Sequence, residues 1–456
     1  MVRVPMLWRA LVLAVAVVCL RSSPSFALDK FCDPSFEDCR APLLTLIANE
    51  RIGIDLGFWF MEDARYTAAL IKRFQAGVPI RVLVDPRANT KNPQNEYRLK
   101  ELADAGIPMR KCVTSGIMHW KAMIFAGQNT VEFGGANYSA WAFVPAQPYV
   151  NYTDEVIRFT DRSSIVQSFM TKFDDLWVSS AFADFANMTN PPTREFPTFT
   201  KDPALNFPPT ESYMSRAVKL YNAEQTRIDA IMFRITDRNH SDAMIAAKQR
   251  GVPVRILTEQ TEYRDPNYLW DAWNVDRMYI AGIEVRMRAH QGLNHGKLVL
   301  LYSQGTSIYG SSNWTSASTS SQFEHNEFLI DATAFSYFKQ QFLRKWSNKT
   351  GNIETAAFVP QPPETPAYVG PVNGGKQGTT GIKLAWKPGY WAHKADIYFG
   401  TTPDPPLVAR DVTVTPKSTA YYSLPTLTPG RTYYWRIVSK TMANKTKAGS
   451  VWSFGT

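Results

Sequence analysis

Cysteine and histidine are both scarce in this 456-residue chain, with four and six respectively. Cys19 falls in a leading apolar segment, and Cys32 and Cys39 bracket a six-residue loop that an oxidising compartment would close as a disulfide. Cys112 remains, and its apolar neighbourhood reads as that of a buried free thiol. Long apolar runs are also few. The run from Ala10 to Leu20 is too short to cross the ~30 Å of hydrocarbon in a bilayer. With Arg3 and Arg9 before it and Ser25-Phe26-Ala27 after it, it predicts a signal peptide over 1–27, cleaved after Ala27, and a secreted or periplasmic protein. Disorder is excluded for most of the chain by a composition that is 45% hydrophobic and 20% charged, and the length allows two or three domains.

Charge of either sign is moderate. Removing Arg3, Arg9 and Arg21 with the leader takes the formal net charge from +10 to +7, a mildly basic surface suited to an anionic partner, whether lipid head group or nucleic acid.

What the chain does possess is a stretch that occurs twice. The first copy reads His119-Trp120-Lys121, apolar Met123-Ile124-Phe125, then Gly134-Gly135-Ala136-Asn137. The second reads His295-Gly296-Lys297, apolar Leu298 to Leu301, then Gly310-Ser311-Ser312-Asn313. Corresponding His, Lys, Gly and Asn positions all lie 176 residues apart. One His-x-Lys tripeptide is common by chance; two with the same internal spacing are not. The pattern resembles the phospholipase D superfamily of phosphodiesterases, whose signature is His-x-Lys, an Asp five residues after the Lys, and a downstream Gly-Ser or Gly-x-Asn. The resemblance covers about residues 40–350, and the Asp is replaced by Ala126 and Tyr302.

The repeat extends beyond the motif. Arg227-Ile228 answers Arg51-Ile52, and Gly251-Val252-Pro253 answers Gly77-Val78-Pro79. In each half, helical patterns alternate with apolar strands. Helices over Leu43–Glu50, Asp63–Gln75 and Glu96–Ala105 and strands at Arg51–Phe58, Ile80–Asp85 and Ile107–Lys111 predict an α/β layered unit. The expected fold is therefore two pseudo-symmetric α/β lobes, 40–185 and 211–350, joined by an irregular Pro- and Thr-rich crossover over 186–210. A stiff Pro-rich linker, 351–364, then leads to short alternating strands over 365–456. These look like a fibronectin type III sandwich, held apart from the lobes and supplying no catalytic group.

A phosphodiester needs a nucleophile, an acid for its leaving oxygen, and positive charge around its other oxygens. Two histidines supply the first two: one imidazole attacks phosphorus and becomes a phosphohistidine, while the other protonates the departing alcohol and later deprotonates water. The resemblance implies His119 as nucleophile and His295 as acid and base. Lys121, Lys297, Asn137 and Asn313 can hold the phosphoryl oxygens, with Gly135 and Ser311 as supporting residues and the glycines before each Asn letting the backbone come close to the phosphate. No metal or other cofactor is called for. The family also places a carboxylate behind each histidine, and Glu155 and Glu327, on strand-like segments after each motif, are the candidates. His240, His290, His325 and His393 lack duplicated context; His325 adjoins Glu327 and is a candidate lining residue.

Phospholipases, nucleases and phospholipid synthases share such a site. The signal pattern, the aromatic loop Trp141 to Tyr149 and the cluster Tyr268, Trp270, Trp273, Tyr279 favour a phospholipid substrate and peripheral membrane contact. A secreted metal-independent endonuclease is the alternative, since aromatics and basic charge also suit nucleic acid. A catalytically impaired binding protein is a further one, and no stable protein partner is expected.

Overall fold

Strands buried at every position need cover on both faces, and Ile54–Phe58, Ile80–Val84, Ile228–Met232 and Lys297–Leu301 are all of this kind. The computed structural model describes residues 29–189, 191 and 197–456, so the leader expected at 1–27 lies outside them.

In the first lobe the strands are β1 (Asp29–Cys32), β2 (Ile54–Phe58), β3 (Ile80–Val84), β4 (Met109–Cys112), β5 (Lys121–Phe125), β6 (Thr130–Gly134), β7 (Asn151–Asp154), β8 (Ile157–Thr160) and β9 (Phe182–Ala186). All but β7 form one eight-stranded sheet, ordered β1-β8-β6-β5-β2-β3-β4-β9. The second lobe has β10 (Leu205–Asn206), β11 (Ile228–Met232), β12 (Val254–Thr258), β13 (Glu284–Arg288), β14 (Gln291–Asn294), β15 (Lys297–Leu301), β16 (Thr306–Gly310), β17 (Asn326–Ile330) and β18 (Thr355–Ala357). Its sheet runs β10-β17-β16-β15-β11-β12-β13-β18, the same plan. The β2-β3-β4 and β11-β12-β13 triplets are parallel and joined by helical crossovers, whereas the motif strands β5 and β15 run antiparallel to their neighbours.

Helix boundaries repeat as well. Ala64–Gln75 starts where Asp63 accepts from the Arg65 N–H, and Arg238–Gln249 starts where Asp237 accepts from the Asn239 N–H. Each stops at a glycine in the left-handed region, Gly77 and Gly251, both at φ +88°.

Three boundaries differ from the sequence reading. The first lobe begins at Asp29, because β1 pairs with β8, and Cys32 and Cys39 close as a disulfide just behind it. The crossover lends β10 to the second sheet, and the linker lends β18. The C-terminal unit, three- and five-stranded sheets around a core with Trp386, Ile397, Trp435 and Phe454, is not held apart. It docks on the second lobe. Arg264 lies 4.5 Å over the Trp391 ring and donates to the Pro362 carbonyl, and Lys417 Nζ donates to the Pro266 carbonyl at 2.7 Å. Proline stiffens the connection but does not prevent packing when both faces carry apolar and charged groups to bury.

The lobes share a core in which Trp120, Phe133 and Phe169 meet Leu298, Tyr309 and Phe338. Beside it Arg158 of β8, fully buried, donates to Glu327 of β17, to the Tyr309 hydroxyl at 3.0 Å and to Asp29 at 3.0 Å. Removing one partner of such a pair strands a charge in a dry interior. Glu327→Ala should therefore cost about 3–5 kcal/mol, read as a lower urea midpoint at an unchanged slope. A midpoint equal to that of the parent protein would show that Arg158 has another way to be satisfied.

Candidate active site

The two motifs meet through short parallel pairings between the lobes. Strand β7 of the first lobe pairs with β14 of the second, ending on Asp154 opposite Asn294. The next residues in register are Glu155 and His295. On the other side of the pseudo-two-fold axis Met118 bridges Phe323 in parallel, and the next residues are His119 and Glu324. Backbone bonds repeat this symmetry: the His295 N–H donates to the Asp154 carbonyl and the His119 N–H to the Phe323 carbonyl, both at 3.0 Å. Each imidazole is thereby set against a carboxylate of the opposite lobe, Glu155 Oε1 at 2.6 Å from His295 Nδ1 and Glu324 Oε2 at 2.8 Å from His119 Nδ1. Gly292 lets β14 come this close, since a Cβ there would lie 2.1 Å from the Tyr152 carbonyl oxygen.

Glu327 is therefore not the second carboxylate. Counterpart pairings, Gly134 with Ile157 and Gly310 with Asn326, make Glu155 the equivalent of Glu324 at a separation of 169, and Arg158 the equivalent of Glu327. The loop after Asn137 is longer than its counterpart by the difference between 176 and 169, so aligning the strands by their acidic residues chose the wrong Glu. Glu155-x-x-Arg158-Phe159 against Glu324-x-x-Glu327-Phe328 carries the correct register in the sequence.

A cavity of about 280 Å³ joins the two halves. His119, His295, Asn137, Asn313 and Glu155 line it, together with Trp59, Phe60, Phe233 and Arg234, which sequence reasoning did not single out. Lys121 and Lys297 lie one layer behind, 0% and 2% exposed, each donating from Nζ to the carbonyl of the histidine two residues before it. Burial pulls their pKa values down to about 7 and about 8, with the glutamates opposing. The Asn137 and Asn313 side-chain oxygens, Glu155 Oε2 and Glu324 Oε1 are buried without a protein partner, which leaves polar capacity for a ligand.

The two pairs differ in one hydroxyl. Ser311 donates to Glu324 Oε2, the atom that holds His119. Its counterpart Gly135 offers Glu155 nothing, and a Cβ there would come within 2.6 Å of Glu155 Oε2. Although burial raises the Glu324 carboxyl, His119, Lys121 and Ser311 hold it below its ordinary range. Burial pushes Glu155 up to about 8, against Lys297 and Lys121. Near neutral pH the Glu155–His295 pair thus keeps one proton more than the Glu324–His119 pair. For His119, burial lowers the pKa to about 4 against the pull of Glu324. It is neutral, donates Nδ1–H to Glu324 and presents an unprotonated Nε2. In the other pair a protonated Glu155 donates to His295 Nδ1, and the His295 proton lies on Nε2.

His325 does not line the cavity; it sits among Trp120, Phe133 and Phe169, and its Nε2 accepts from the Lys121 N–H. Tyr302, in place of the missing Asp, donates to Asp229, which also holds Arg255. In the first lobe Asp55 holds Arg81 in the same way. Tyr302 is five residues beyond Lys297 along an extended strand, about 17 Å from the chemistry, so its role is structural. Cys112 is buried and free. Trp141 and Trp270 are both exposed, Trp270 meeting Trp273 edge-on and the His393 ring at a tilt, whereas Phe143 is core. Among the described residues no cluster of three or more His, Cys, Asp or Glu could hold a metal ion, and no helix is long and apolar enough to cross a membrane.

The chain is similar to known proteins in family and in fold. The family model described as the PLD-like domain of cardiolipin synthase matches residues 43–177 and 218–346, more than half of the chain. Mitochondrial cardiolipin hydrolases are similar over one stretch: that of Chlamydomonas reinhardtii is 26% identical over 137 residues, 30% of this chain and 59% of that protein, and that of Mus musculus 26% over 141 residues, 31% and 61%. The chain thus matches about three-fifths of the length of each. A phosphatidylserine synthase from Haemophilus influenzae Rd KW20 superposes with a TM-score of 0.55 over 73% of this chain and 88% of that one, a likeness of fold at 14% identity.

Two substitutions separate the glutamates. Glu324→Gln replaces the acceptor-only carboxylate that sets the His119 tautomer by an uncharged amide that can also donate to Nδ1, and should lower kcat by about 10²–10⁴-fold, while Glu327→Gln should alter stability far more than kcat. Equal losses in kcat would return the second carboxylate to Glu327. The pH profile of kcat/KM should fall on the acid side as His119 protonates toward about 4 and on the alkaline side as the Glu155–His295 pair loses its proton near about 8. Ser311→Ala makes Glu324 more basic, favours the His119 imidazolium and should move the acid limb upward.

Proposed function

The chain belongs to the phospholipase D superfamily, and from that premise we propose that it is a secreted phosphodiesterase that hydrolyses phospholipid head-group esters through a phosphohistidine on His119. The observation that carries this reading is the single cavity into which two histidines turn Nε2, each anchored at Nδ1 by a glutamate of the other lobe.

His119 Nε2 attacks phosphorus as the bond to the leaving alcohol oxygen breaks, and that oxygen takes the proton of His295 Nε2. Water then attacks the phosphohistidine while His295 removes its proton, the P–N bond breaks, and a phosphate monoester leaves with both histidines restored. Lys121 and Lys297 offset the charge gathering on the phosphoryl oxygens from a water-poor layer, where charge acts over short distances with little screening. The hydroxyl of Ser311 favours His119 for attack, and its absence at Gly135 favours His295 as proton carrier.

Trp59, Phe60, Ala142, Phe233 and Leu293 give the cavity an apolar wall that suits a lipid more than a stacked, polyanionic strand, and Trp141 stands exposed beside it. The likeness to cardiolipin hydrolases points the same way. The Cys32–Cys39 disulfide fits an oxidising compartment and, with the leader pattern, supports secretion.

With chelator present, the purified protein should release head group from phospholipid vesicles and leave plasmid DNA intact; the reverse result makes it a nuclease. On a p-nitrophenyl phosphodiester, whose leaving group needs little protonation, His295→Ala should keep some first-step activity and accumulate acid-labile phosphoenzyme, while His119→Ala forms none. Phosphate trapped on His295 in the His119→Ala protein would reverse the roles.

A further inference from the structure

Phe60 and Arg234 are counterparts. Each follows the aromatic residue, Trp59 or Phe233, that succeeds the central strand of its lobe, and each lines the cavity. The residues next after them, Met61 and Ile235, make matching bridges to Tyr138 and Trp314. The fold accepts a neutral ring at this place in one lobe, so it does not require the charge found in the other. Arg234 is also held rigidly: Nε and Nη2 donate to Glu262 at 2.5 and 3.1 Å, and its guanidinium lies 3.6 Å over the Tyr268 ring. From the first lobe Lys91 reaches the same ring edge, with Nζ 3.3 Å from the Tyr268 hydroxyl. Among the described residues Lys91 has no carboxylate within ion-pair distance, and its neighbour Asn92 lines the cavity. Two cations from two lobes thus converge on Tyr268 beside the site, with Glu262 offsetting one of them.

The direction of the reaction gives this cluster a meaning. In-line displacement places the leaving oxygen opposite His119, on the side of His295. The Phe233 ring lies 4.7 Å from the His295 ring, and Arg234 is the next residue, so the departing alcohol extends past Arg234 while the retained diacylglycerol part can lie against Trp59 and Phe60. We infer that Arg234, assisted by Lys91, is a specificity-determining anion subsite, and that the preferred substrate is a phospholipid whose head-group alcohol carries its own anionic group, a phosphate or a carboxylate. This rests on the lipid reading and on the histidine roles given above. A guanidinium fixed at two nitrogens remains a directional donor for such a group, and a quaternary ammonium head group placed there meets like charge.

The test uses monomeric dihexanoyl phospholipids, because a basic protein gathers on anionic vesicles whatever its site prefers. Four head groups are compared: glycerol 3-phosphate, serine, glycerol and choline. Each kcat/KM is expressed relative to the same variant's turnover of bis(p-nitrophenyl) phosphate. The parent enzyme should prefer the anionic head groups, and the phosphate and serine arms tell which anion is recognised. Arg234→Gln should lower the anionic-to-choline ratio by about ten-fold or more, chiefly through KM, and Arg234→Lys should recover part of it. Lys91→Gln, at an exposed position where folding is not at stake, should shift the ratio in the same direction by less. A parent enzyme that favours choline, or a ratio unmoved in both Arg234→Gln and Lys91→Gln, overturns the subsite while leaving the phospholipase reading intact. Cleavage of plasmid DNA with no lipid turned over overturns that reading and this inference with it.

Discussion

Each imidazole that lines the cavity is oriented by a carboxylate that belongs to the other lobe, and most of the architecture serves that exchange. A histidine that can choose freely between tautomers presents the wrong nitrogen part of the time; a carboxylate at Nδ1 removes the choice. Placing the carboxylate in a side chain of the same strand would be simpler, but a neighbour in sequence points to the opposite face. Parallel pairing across the lobes solves the geometry, since residues at equal register stand side by side. The pairing is short, four residues in β7 with β14 and a single bridge at Met118, so it cannot hold the lobes together alone. The shared apolar core around Trp120, Phe133, Tyr309 and Phe338 supplies the rigidity.

Duplication gives two equivalent sites, yet a displacement needs one group that gives an electron pair and another that gives a proton. The differences that separate them are small. A hydroxyl present at Ser311 and absent at Gly135 tilts the proton inventory of two otherwise matched pairs, and a guanidinium at Arg234 facing a ring at Phe60 tilts the cavity from one lobe to the other. Neither change disturbs the backbone plan, which is why both halves still match one family model.

Much of this was legible beforehand. His119, Lys121 and Asn137 with their partners 176 residues on were readable because the spacing within a strand and its following turn is set by local geometry, which insertions elsewhere leave alone. Helix starts at Asp63 and Asp237 and stops at Gly77 and Gly251 were readable for the same reason. Glu155 is legible in the sequence as the partner of a histidine and Glu324 is not, because the loop between motif and carboxylate differs in length between the halves and two acidic residues, Glu324 and Glu327, lie within reach of a plausible alignment. Arg234 carries no motif at all: its meaning comes from what faces it across the cavity. The docking of the C-terminal sheets was missed too, since Pro-rich composition reports stiffness of a connection and says nothing of the surfaces it joins.

The buried Arg158–Glu327 pair joins counterpart positions, and beside it the counterpart rings of Phe133 and Tyr309 stack at 6.2 Å. These residues lie where the two halves meet across their common axis. In a two-fold association of identical halves the same residue would face itself there, guanidinium against guanidinium or carboxylate against carboxylate, in an interior with no water to screen them. Opposite charges at this point are possible only when the halves differ. The pair therefore acts as a rule of assembly: each half is complementary to the other half and repels a copy of itself, so that like halves of two chains are steered away from pairing with one another.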